Sequence, residues 1–180
     1  YKRQGEEAMM KIPFSPPDIT EEEIQEVAEA LRSGWITTGP KTKEFERQIA
    51  DYCGVKRAVC LNSQTACAEM ALRILGIGPG DEVITSAYTY TASASVACHV
   101  GAKLVMVDTA PNSFEMDYEQ LAQAITSRTK VIIPVDLAGI ICDYDRIFSI
   151  ANDKKQLFQP SNKLQNSIAV SYTHLTLPTT

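Results

Sequence analysis

The sequence predicts an α/β fold of three layers, in which a largely parallel β-sheet is covered by helices on both faces. Strand-like and helix-like segments alternate four times after residue 57, and this alternation is typical of parallel sheets whose connections are helices. The first strand-like segment, Ala58–Leu61, is a compact apolar run of strand length. The 180 residues leave room for one domain with a substantial core, or for a piece of a larger protein.

Residues 10–56 are predicted to form a helical segment ahead of the sheet. Thr20 and Glu23 have the spacing of a capping box, which predicts a helix that begins there and ends at Gly34. A second helix is predicted to end at Gly54, and its apolar positions are Phe45, Ile49 and Tyr52.

Residues 57–170 are predicted to form the sheet domain. Four strands are expected, at Ala58–Leu61, Val83–Thr85, Lys103–Val107 and Val131–Val135. The helices that follow them are expected to begin near Ser63, Ala92, Asp117 and Asp143. After a polar loop over residues 152–166, Ser167–Val170 is expected to be a fifth strand that is cut off.

Both ends of the chain differ from the segments between them. Residues 1–9 are predicted to be a non-native leader, because Met9 or Met10 is a more natural start than Tyr1. Residues 171–180 resemble read-through of library adapter sequence and are predicted to be a non-native tail. The alternative for this last segment is a genuine polar tail.

Composition and charge exclude several classes of function. The net charge of −5 and the pI near 5.1 argue against a general nucleic-acid or anionic-membrane partner. No apolar run approaches the roughly 20 residues that a membrane-spanning helix needs. Five cysteines without a C-x-x-C pair fit reduced thiols better than disulfides or a zinc site. We therefore expect a cytoplasmic protein without a metal ion.

The turn after the first predicted strand has the features of an anion site. Asn62 and Ser63 can cap a helix that begins at once after them. A helix N-terminus at the carboxyl end of a strand presents unpaired N–H groups and a partial positive charge, which favour phosphate. The alternative is an ordinary capped helix without a ligand.

Aromatic residues follow the second predicted strand at the same edge of the sheet. Tyr88 and Tyr90 would stand beside the phosphate-binding turn. A phosphate site next to a flat ring indicates a planar, phosphorylated, heteroaromatic ligand. Asp136, which follows the fourth predicted strand, is interpreted as a loop cap, and His99 as a packed or surface histidine.

In their order along the chain, these segments resemble the DegT/StrS-type aminotransferases, pyridoxal-phosphate (PLP) enzymes that aminate keto-sugars on nucleotide carriers. The resemblance extends from about residue 12 to residue 151. The matching segments are Gly34–Pro40, Lys43–Glu46, Asn62–Ala66, Gly78–Ile84, Thr89–Ala92, Gly101-Ala102 and Val107-Asp108.

The resemblance implies a fold, a cofactor and its contacts. The fold would be the large domain of PLP-dependent transferases of the aspartate aminotransferase type I class, here truncated. Thr65 and Ala66 match the pair that binds the cofactor phosphate, with Gln64 just before them. Tyr90 matches the aromatic residue that stacks on the pyridine ring. Thr37 and Thr38 fall in a loop that in this family lies near the substrate, commonly at a homodimer interface.

The chain also departs from the family pattern. Asp136 stands where the family usually has a histidine. The family's Schiff-base lysine and the carboxylate that keeps the pyridine nitrogen protonated lie further downstream, so this chain would be an inactive fragment with no catalytic residue of its own. Its late lysines match no lysine motif and are interpreted as solvated surface residues; they are Lys154, Lys155 and Lys163.

For the full-length protein, the resemblance implies transfer of an amino group from a glutamate-type donor to a nucleotide-linked keto-sugar, as in polysaccharide biosynthesis. Two alternatives stay open. Some relatives are PLP-dependent sugar dehydratases that have histidine in place of the lysine. A non-catalytic binding or regulatory protein could also keep this fold.

Overall fold

The computed structural model describes residues 16–166, and the chain divides after Cys60 into two compact units. The predicted leader (1–9), tail (171–180) and fifth strand (167–170) lie outside the described residues. Among the described helices, none combines the length and the apolar character needed to cross a membrane.

The described part of the first unit, residues 16–60, contains two helices, α1 (Glu21–Arg32) and α2 (Pro40–Cys53). The capping box of α1 is confirmed, because the Thr20 hydroxyl accepts from the Glu22 amide while the Glu23 carboxylate accepts from the Thr20 amide at 2.6 Å. The C-cap of α2 is Gly54 in the left-handed conformation (φ 64°), as the sequence predicts.

Within residues 61–166, the second unit alternates helices with three strands. Its elements are α3 (Gln64–Ile74), β1 (Glu82–Ser86), α4 (Thr91–His99), β2 (Lys103–Val107), α5 (Tyr118–Ala124), β3 (Thr129–Ile133) and α6 (Tyr144–Asp153). The central strand β1 pairs in parallel with β2 on one side and with β3 on the other. The predicted parallel sheet is thereby confirmed within residues 61–166.

Side chains alternate between two cores, one on each face of this sheet. Val83 of β1 packs with α3 and α4, whereas the next residue, Ile84, packs with α5 and α6. Both side chains are fully buried. The alternation produces three layers, helix on sheet on helix, as the sequence predicts.

Two strand predictions are corrected by the structure. Ala58–Leu61 forms no strand, because no strand within the described residues pairs with this segment to complete its backbone hydrogen bonds. The strand predicted at Val131–Val135 lies instead at Thr129–Ile133. Pro134 has no N–H to donate to the sheet and so ends the strand early.

A buried carboxylate stands at the amino edge of the sheet, where β1 begins. Glu82 accepts hydrogen bonds from Thr126 (2.6 Å), Arg128 (2.9 Å) and Lys103 (3.1 Å). Burial disfavours the charged form, but these hydrogen bonds outweigh it and lower the pKa of Glu82 to about 2.

A second buried carboxylate, that of Asp81, stands beside it. It accepts hydrogen bonds from the Ser161 hydroxyl (2.6 Å), the Gln165 side chain (2.7 Å) and the Gly78 amide (3.1 Å). Together these side chains form what we term the amino-edge network, which consists of Asp81, Glu82, Lys103, Thr126, Arg128, Ser161 and Gln165.

Candidate functional site

The N-termini of α3 and α4 lie at the carboxyl edge of the sheet. The turn at Gly78–Gly80 joins the end of α3 to the amino end of β1, and α4 follows the carboxyl end of β1. At the other end of the two helices, Arg73 contacts the His99 carbonyl oxygen (3.4 Å) and shares the Glu69 carboxylate with the His99 ring. The two helices therefore run in the same direction, and both direct unpaired N–H groups toward the edge where ligands bind in open α/β sheets.

The N-terminus of α3 retains donors for an anion. Ser63 is the N-cap, and its hydroxyl oxygen accepts from the Ala66 amide at 3.1 Å. In the part of the chain that the structure describes, the amides of Gln64 and Thr65 and the Thr65 hydroxyl donate to no protein acceptor. The helix dipole adds partial positive charge at these groups. The turn therefore offers the amides of Gln64 and Thr65 and the Thr65 hydroxyl to an anion, while the Ala66 amide is already engaged.

The two candidate aromatics differ in what they contact. The ring of Tyr88 is stacked on Phe114, with ring centroids 5.7 Å apart. Tyr90 is the N-cap of α4, and 76% of it is exposed. Among the described residues its ring has no aromatic partner. Tyr90 is thus the ring that a planar ligand at this edge can reach.

The loop that follows β3 carries the third group at this edge. One oxygen of the Asp136 carboxylate accepts from the Cys142 amide (2.9 Å), and the other accepts from the Tyr144 hydroxyl (2.9 Å). This arrangement confirms that Asp136 is a loop cap. Burial, followed by the neighbouring Asp136 carboxylate, raises the pKa of the Cys142 thiol to about 11. The same two causes raise the pKa of Tyr144.

Thr37 and Thr38 belong to the first unit and are exposed between α1 and α2. The Thr38 carbonyl accepts a hydrogen bond from the Trp35 indole at 3.1 Å. The buried Gly39 lies against the same indole, so a larger residue would collide with Trp35. The placement of both threonines near a substrate stays a prediction.

Other titratable groups lie away from this edge. His99 is exposed and pairs with Glu69 at the far end of α4, which fits the surface histidine expected from the sequence. Two of the late lysines, Lys155 and Lys163, are exposed, and Lys154 is partly so. No group of three or more metal-ligating side chains occurs within residues 16–166.

Sequence reasoning missed two contributors to this edge. It placed Ser63 in the phosphate-binding turn as a cap, but it did not assign the hydroxyl hydrogen, which stays available to a ligand while the oxygen caps α3. It also gave no sign that Ala138, in the loop after β3, adopts a left-handed conformation (φ 53°). The only signal for this conformation is the neighbouring Gly139, which marks a turn.

Comparison with known proteins agrees with this geometry. A sequence profile described as the DegT/DnrJ/EryC1/StrS aminotransferase family matches residues 17–158. The spore coat polysaccharide biosynthesis protein SpsC of Bacillus subtilis (strain 168) is 46% identical over 142 residues, which cover 79% of this chain and 36% of that protein. The UDP-4-amino-4-deoxy-L-arabinose–oxoglutarate aminotransferase of Shewanella sediminis is 44% identical, over 80% of this chain and 37% of that enzyme.

Solved structures have the same fold. Spr1654 of Streptococcus pneumoniae, described as a sugar aminotransferase, matches in its PLP form with a TM-score of 0.84 and 61% identity, over 88% of this chain and 40% of that one. It has also been solved in a PMP form. A GDP-4-keto-6-deoxymannose-3-dehydratase matches with a TM-score of 0.73 and 26% identity, over 78% of this chain and 38% of that one. The chain thus spans a little over a third of the length of the relatives it matches.

Proposed function

We propose the function of this chain from one premise, that it belongs to the DegT/DnrJ/EryC1/StrS aminotransferase family. The chain would provide much of the cofactor-binding surface of a PLP-dependent enzyme. That enzyme would move an amino group from glutamate or a similar donor to a nucleotide-linked keto-sugar, in the biosynthesis of a polysaccharide.

The residues at the start of α3 fit the phosphate of such a cofactor. Its oxygens would accept from the Gln64 and Thr65 amides and from the Thr65 hydroxyl, which have no protein acceptor among the described residues. The Ser63 hydroxyl can donate its hydrogen while its oxygen still caps the Ala66 amide. Ala66 would thereby contribute indirectly, because its amide donates to the Ser63 hydroxyl oxygen and so orients that hydroxyl.

The exposed ring of Tyr90 would stack on the pyridine ring of the same ligand. Tyr88 is less suited, because its ring is stacked on Phe114. The single observation that carries the proposal is this pairing of free amides at one helix start with an exposed aromatic ring at the next. Both belong to the same edge of one sheet.

When bound, PLP would supply the carbonyl that receives the amino group and a ring that withdraws electrons from the reacting carbon. We propose that the lysine and the ring-nitrogen carboxylate that this chemistry requires come from a segment downstream of this chain. Thr37 and Thr38 would contact the substrate, commonly at the interface of a homodimer, and the enzyme would be cytoplasmic.

A second candidate, a PLP-dependent sugar dehydratase, is favoured by the structural likeness to GDP-4-keto-6-deoxymannose-3-dehydratase. A binding or regulatory role without chemistry is the third. The residue that follows the fifth strand in the full-length reading frame discriminates among them. A lysine there supports transamination, a histidine supports dehydration, and neither supports a binding role.

Cofactor binding is tested with the full-length protein freed of cofactor. Isothermal titration calorimetry would compare pyridoxamine 5'-phosphate with pyridoxamine, which lacks the phosphate. We expect the phosphate ester to bind at least about a hundredfold more tightly, since it would gain charge-assisted hydrogen bonds of about 1.5–3 kcal/mol each. Equal affinity for the two ligands would refute the proposed phosphate site.

The reaction is tested by incubating the PLP-loaded protein with L-glutamate alone. An aminotransferase releases 2-oxoglutarate in an amount equal to the enzyme, even without a sugar acceptor. Chromatography of the products measures this single turnover. Absence of 2-oxoglutarate would contradict a glutamate donor. When a nucleotide-linked keto-sugar is then added, an amino sugar supports transamination, whereas loss of a sugar hydroxyl as water, with the glutamate nitrogen released as ammonia, would favour the dehydratase.

A further inference from the structure

The loop between β3 and α6, residues 134–143, is anchored at both of its ends. At its start, both oxygens of Asp136 are engaged, one by the Cys142 amide and one by the Tyr144 hydroxyl. At its end, the Asp143 amide donates to the hydroxyl oxygen of Tyr118 at 2.7 Å. Two tyrosine hydroxyls thus fasten the loop, one from α6 and one from α5.

The anchors themselves are held in the core. Tyr118 is buried, and its hydroxyl donates to the Glu115 carboxylate at 2.6 Å. Cys142 is buried as well, and its thiol donates to the Val135 carbonyl at 3.3 Å. Because these groups pack with α5 and α6, the loop cannot shift without disturbing the core on that face.

Between the anchors the backbone is strained. Ala138 has φ 53°, a left-handed conformation that its side chain disfavours, and Gly139 follows with φ 78°. The turn is closed by a hydrogen bond from the Gly139 amide to the Asp136 carbonyl at 3.2 Å. Strain of this kind persists only where surrounding contacts over-determine the conformation, and it is concentrated at ligand-binding positions.

Between its anchors, the loop carries no charged side chain over residues 137–141. The Asp136 carboxylate points into the loop, toward the Cys142 amide and the Tyr144 hydroxyl, while Ala138 and Gly139 are exposed. Ile140 and Ile141 are also exposed. A ligand would therefore meet backbone and apolar groups here. This chemistry suits a sugar ring, whose faces are apolar and whose edges carry hydroxyls, better than a phosphate or a carboxylate.

We propose that Tyr144 and Asp136 are positioning residues that hold the strained turn at Ala138 as a rigid wall against the sugar ring of the acceptor. This inference rests on the proposed aminotransferase function. It assigns the two residues to the sugar half of the reaction, because the wall offers no cation for the carboxylates of the amino donor. Neither residue contacts the reacting atoms.

The test uses the full-length, PLP-loaded enzyme and the variant Tyr144→Phe, which removes only the hydroxyl. The acceptor is whichever UDP- or GDP-linked 4-keto-6-deoxyhexose the wild-type enzyme turns over faster. We expect KM for this acceptor to rise roughly five- to tenfold in the variant, which matches the loss of one hydrogen bond. The rate of the single turnover with L-glutamate should stay unchanged. Tyr52→Phe, which removes the hydroxyl of an exposed tyrosine of α2, serves as the matched control.

A second variant, Ala138→Gly, separates positioning from stability. Glycine relieves the strain and frees the loop, so KM for the acceptor should rise even though the protein becomes more stable. An equal loss of activity with L-glutamate and with the acceptor, or no change in activity with either, would overturn the inference while leaving the proposed function intact. If the wild-type enzyme fails with glutamate or with both acceptors, the proposed function fails and the inference fails with it.

Discussion

The side chain of Gln165 donates a 2.7 Å hydrogen bond to the carboxylate of Asp81, which lies 84 positions earlier in the chain. The oxygen of the Gln165 amide accepts from the Ser161 backbone at 2.8 Å, and its nitrogen also reaches the Gly76 carbonyl at 3.0 Å. Gln165 and Asp81 are both buried. The bond therefore fixes residues 161–165 to the amino edge of the sheet.

Substitution of Gln165 by leucine should destabilise the fold. The change leaves the buried Asp81 carboxylate with fewer donors, which costs about 1–3 kcal/mol of unfolding free energy. Urea denaturation measures the effect. Asn162→Ala is the control, because this exposed side chain also donates to Gly76 (2.7 Å) but leaves no buried charge behind. A loss for Gln165→Leu no larger than for the control would contradict the assignment.

A charge placed at the start of α3 should separate capping from phosphate binding. In Ser63→Asp the carboxylate can still cap the helix, so the melting temperature should change little. The added negative charge should weaken binding of pyridoxamine 5'-phosphate by more than about tenfold through repulsion. Ser63→Thr keeps both the cap and the neutral hydroxyl and should retain the affinity. Calorimetric titration measures the affinities of the two variants, and thermal unfolding measures their melting temperatures. Undiminished binding by Ser63→Asp would argue against this phosphate position.

Removal of the Tyr90 ring should weaken cofactor binding selectively. Tyr90→Leu should reduce the affinity for pyridoxamine 5'-phosphate roughly three- to tenfold, the range expected for one lost stacking contact. Tyr88→Leu should have a smaller effect on affinity, because that ring already stacks on Phe114. Titration of both variants side by side measures the difference. A larger loss for Tyr88→Leu would reverse the assignment.

The buried Glu82 carboxylate should make stability sensitive to acid. Its pKa is lowered from 4.5 to about 2 in the folded protein, so the folded state binds the proton less readily than the unfolded state. The stabilisation that the ionised Glu82 provides is complete above pH 4.5 and is lost as the pH falls toward about 2. Glu82→Gln should therefore flatten the acid limb of the stability curve, by up to about 3 kcal/mol.

Unfolding midpoints measured across this pH range, against the exposed control Glu119→Gln, provide the test of Glu82. The control should retain the acid dependence of the wild type. If Glu82→Gln follows the same curve as the wild type, the hydrogen bonds from Arg128, Lys103 and Thr126 do not control its ionisation.

Substitutions at Ala138 and Gly139 should show the backbone strain after β3 as changes in the free energy of unfolding. Ala138→Gly should raise the free energy of unfolding by about 0.5–1 kcal/mol, because glycine adopts a positive φ without steric cost. Gly139→Ala should lower it by about 1 kcal/mol, since φ is 78° and no atom lies near the added methyl group. Thermal unfolding of the pair measures both signs. A destabilising Ala138→Gly would show that the turn is not strained.

Helix ends could be read from the sequence because their determinants are local. The box at Thr20 and Glu23, the glycine at 54 and the Ser63 cap depend only on residues within one turn of the helix. The parallel sheet could be predicted for a similar reason, since apolar runs and helical spacing alternate along the chain.

Features that depend on distant partners could not be predicted. Ala58–Leu61 has the composition of a strand, but a strand forms only where a neighbour completes its hydrogen bonds. Nothing local in Asp81 indicates that Gln165 will donate to it. Likewise, Asp136 could be identified as a cap, yet its partner Tyr144 and the strain that they hold at Ala138 emerge only when the loop closes.

The amino-edge network and the ligand-binding edge lie at opposite ends of strands only five residues long, about 16 Å apart. Bonds that lock the scaffold therefore share no atoms with the turns that face a substrate. Proteins that evolve from this one could change the sequences of those turns, and so their substrate specificity, without losing stability. This separation permits residues at the ligand-binding edge to vary during evolution while those of the amino-edge network stay the same.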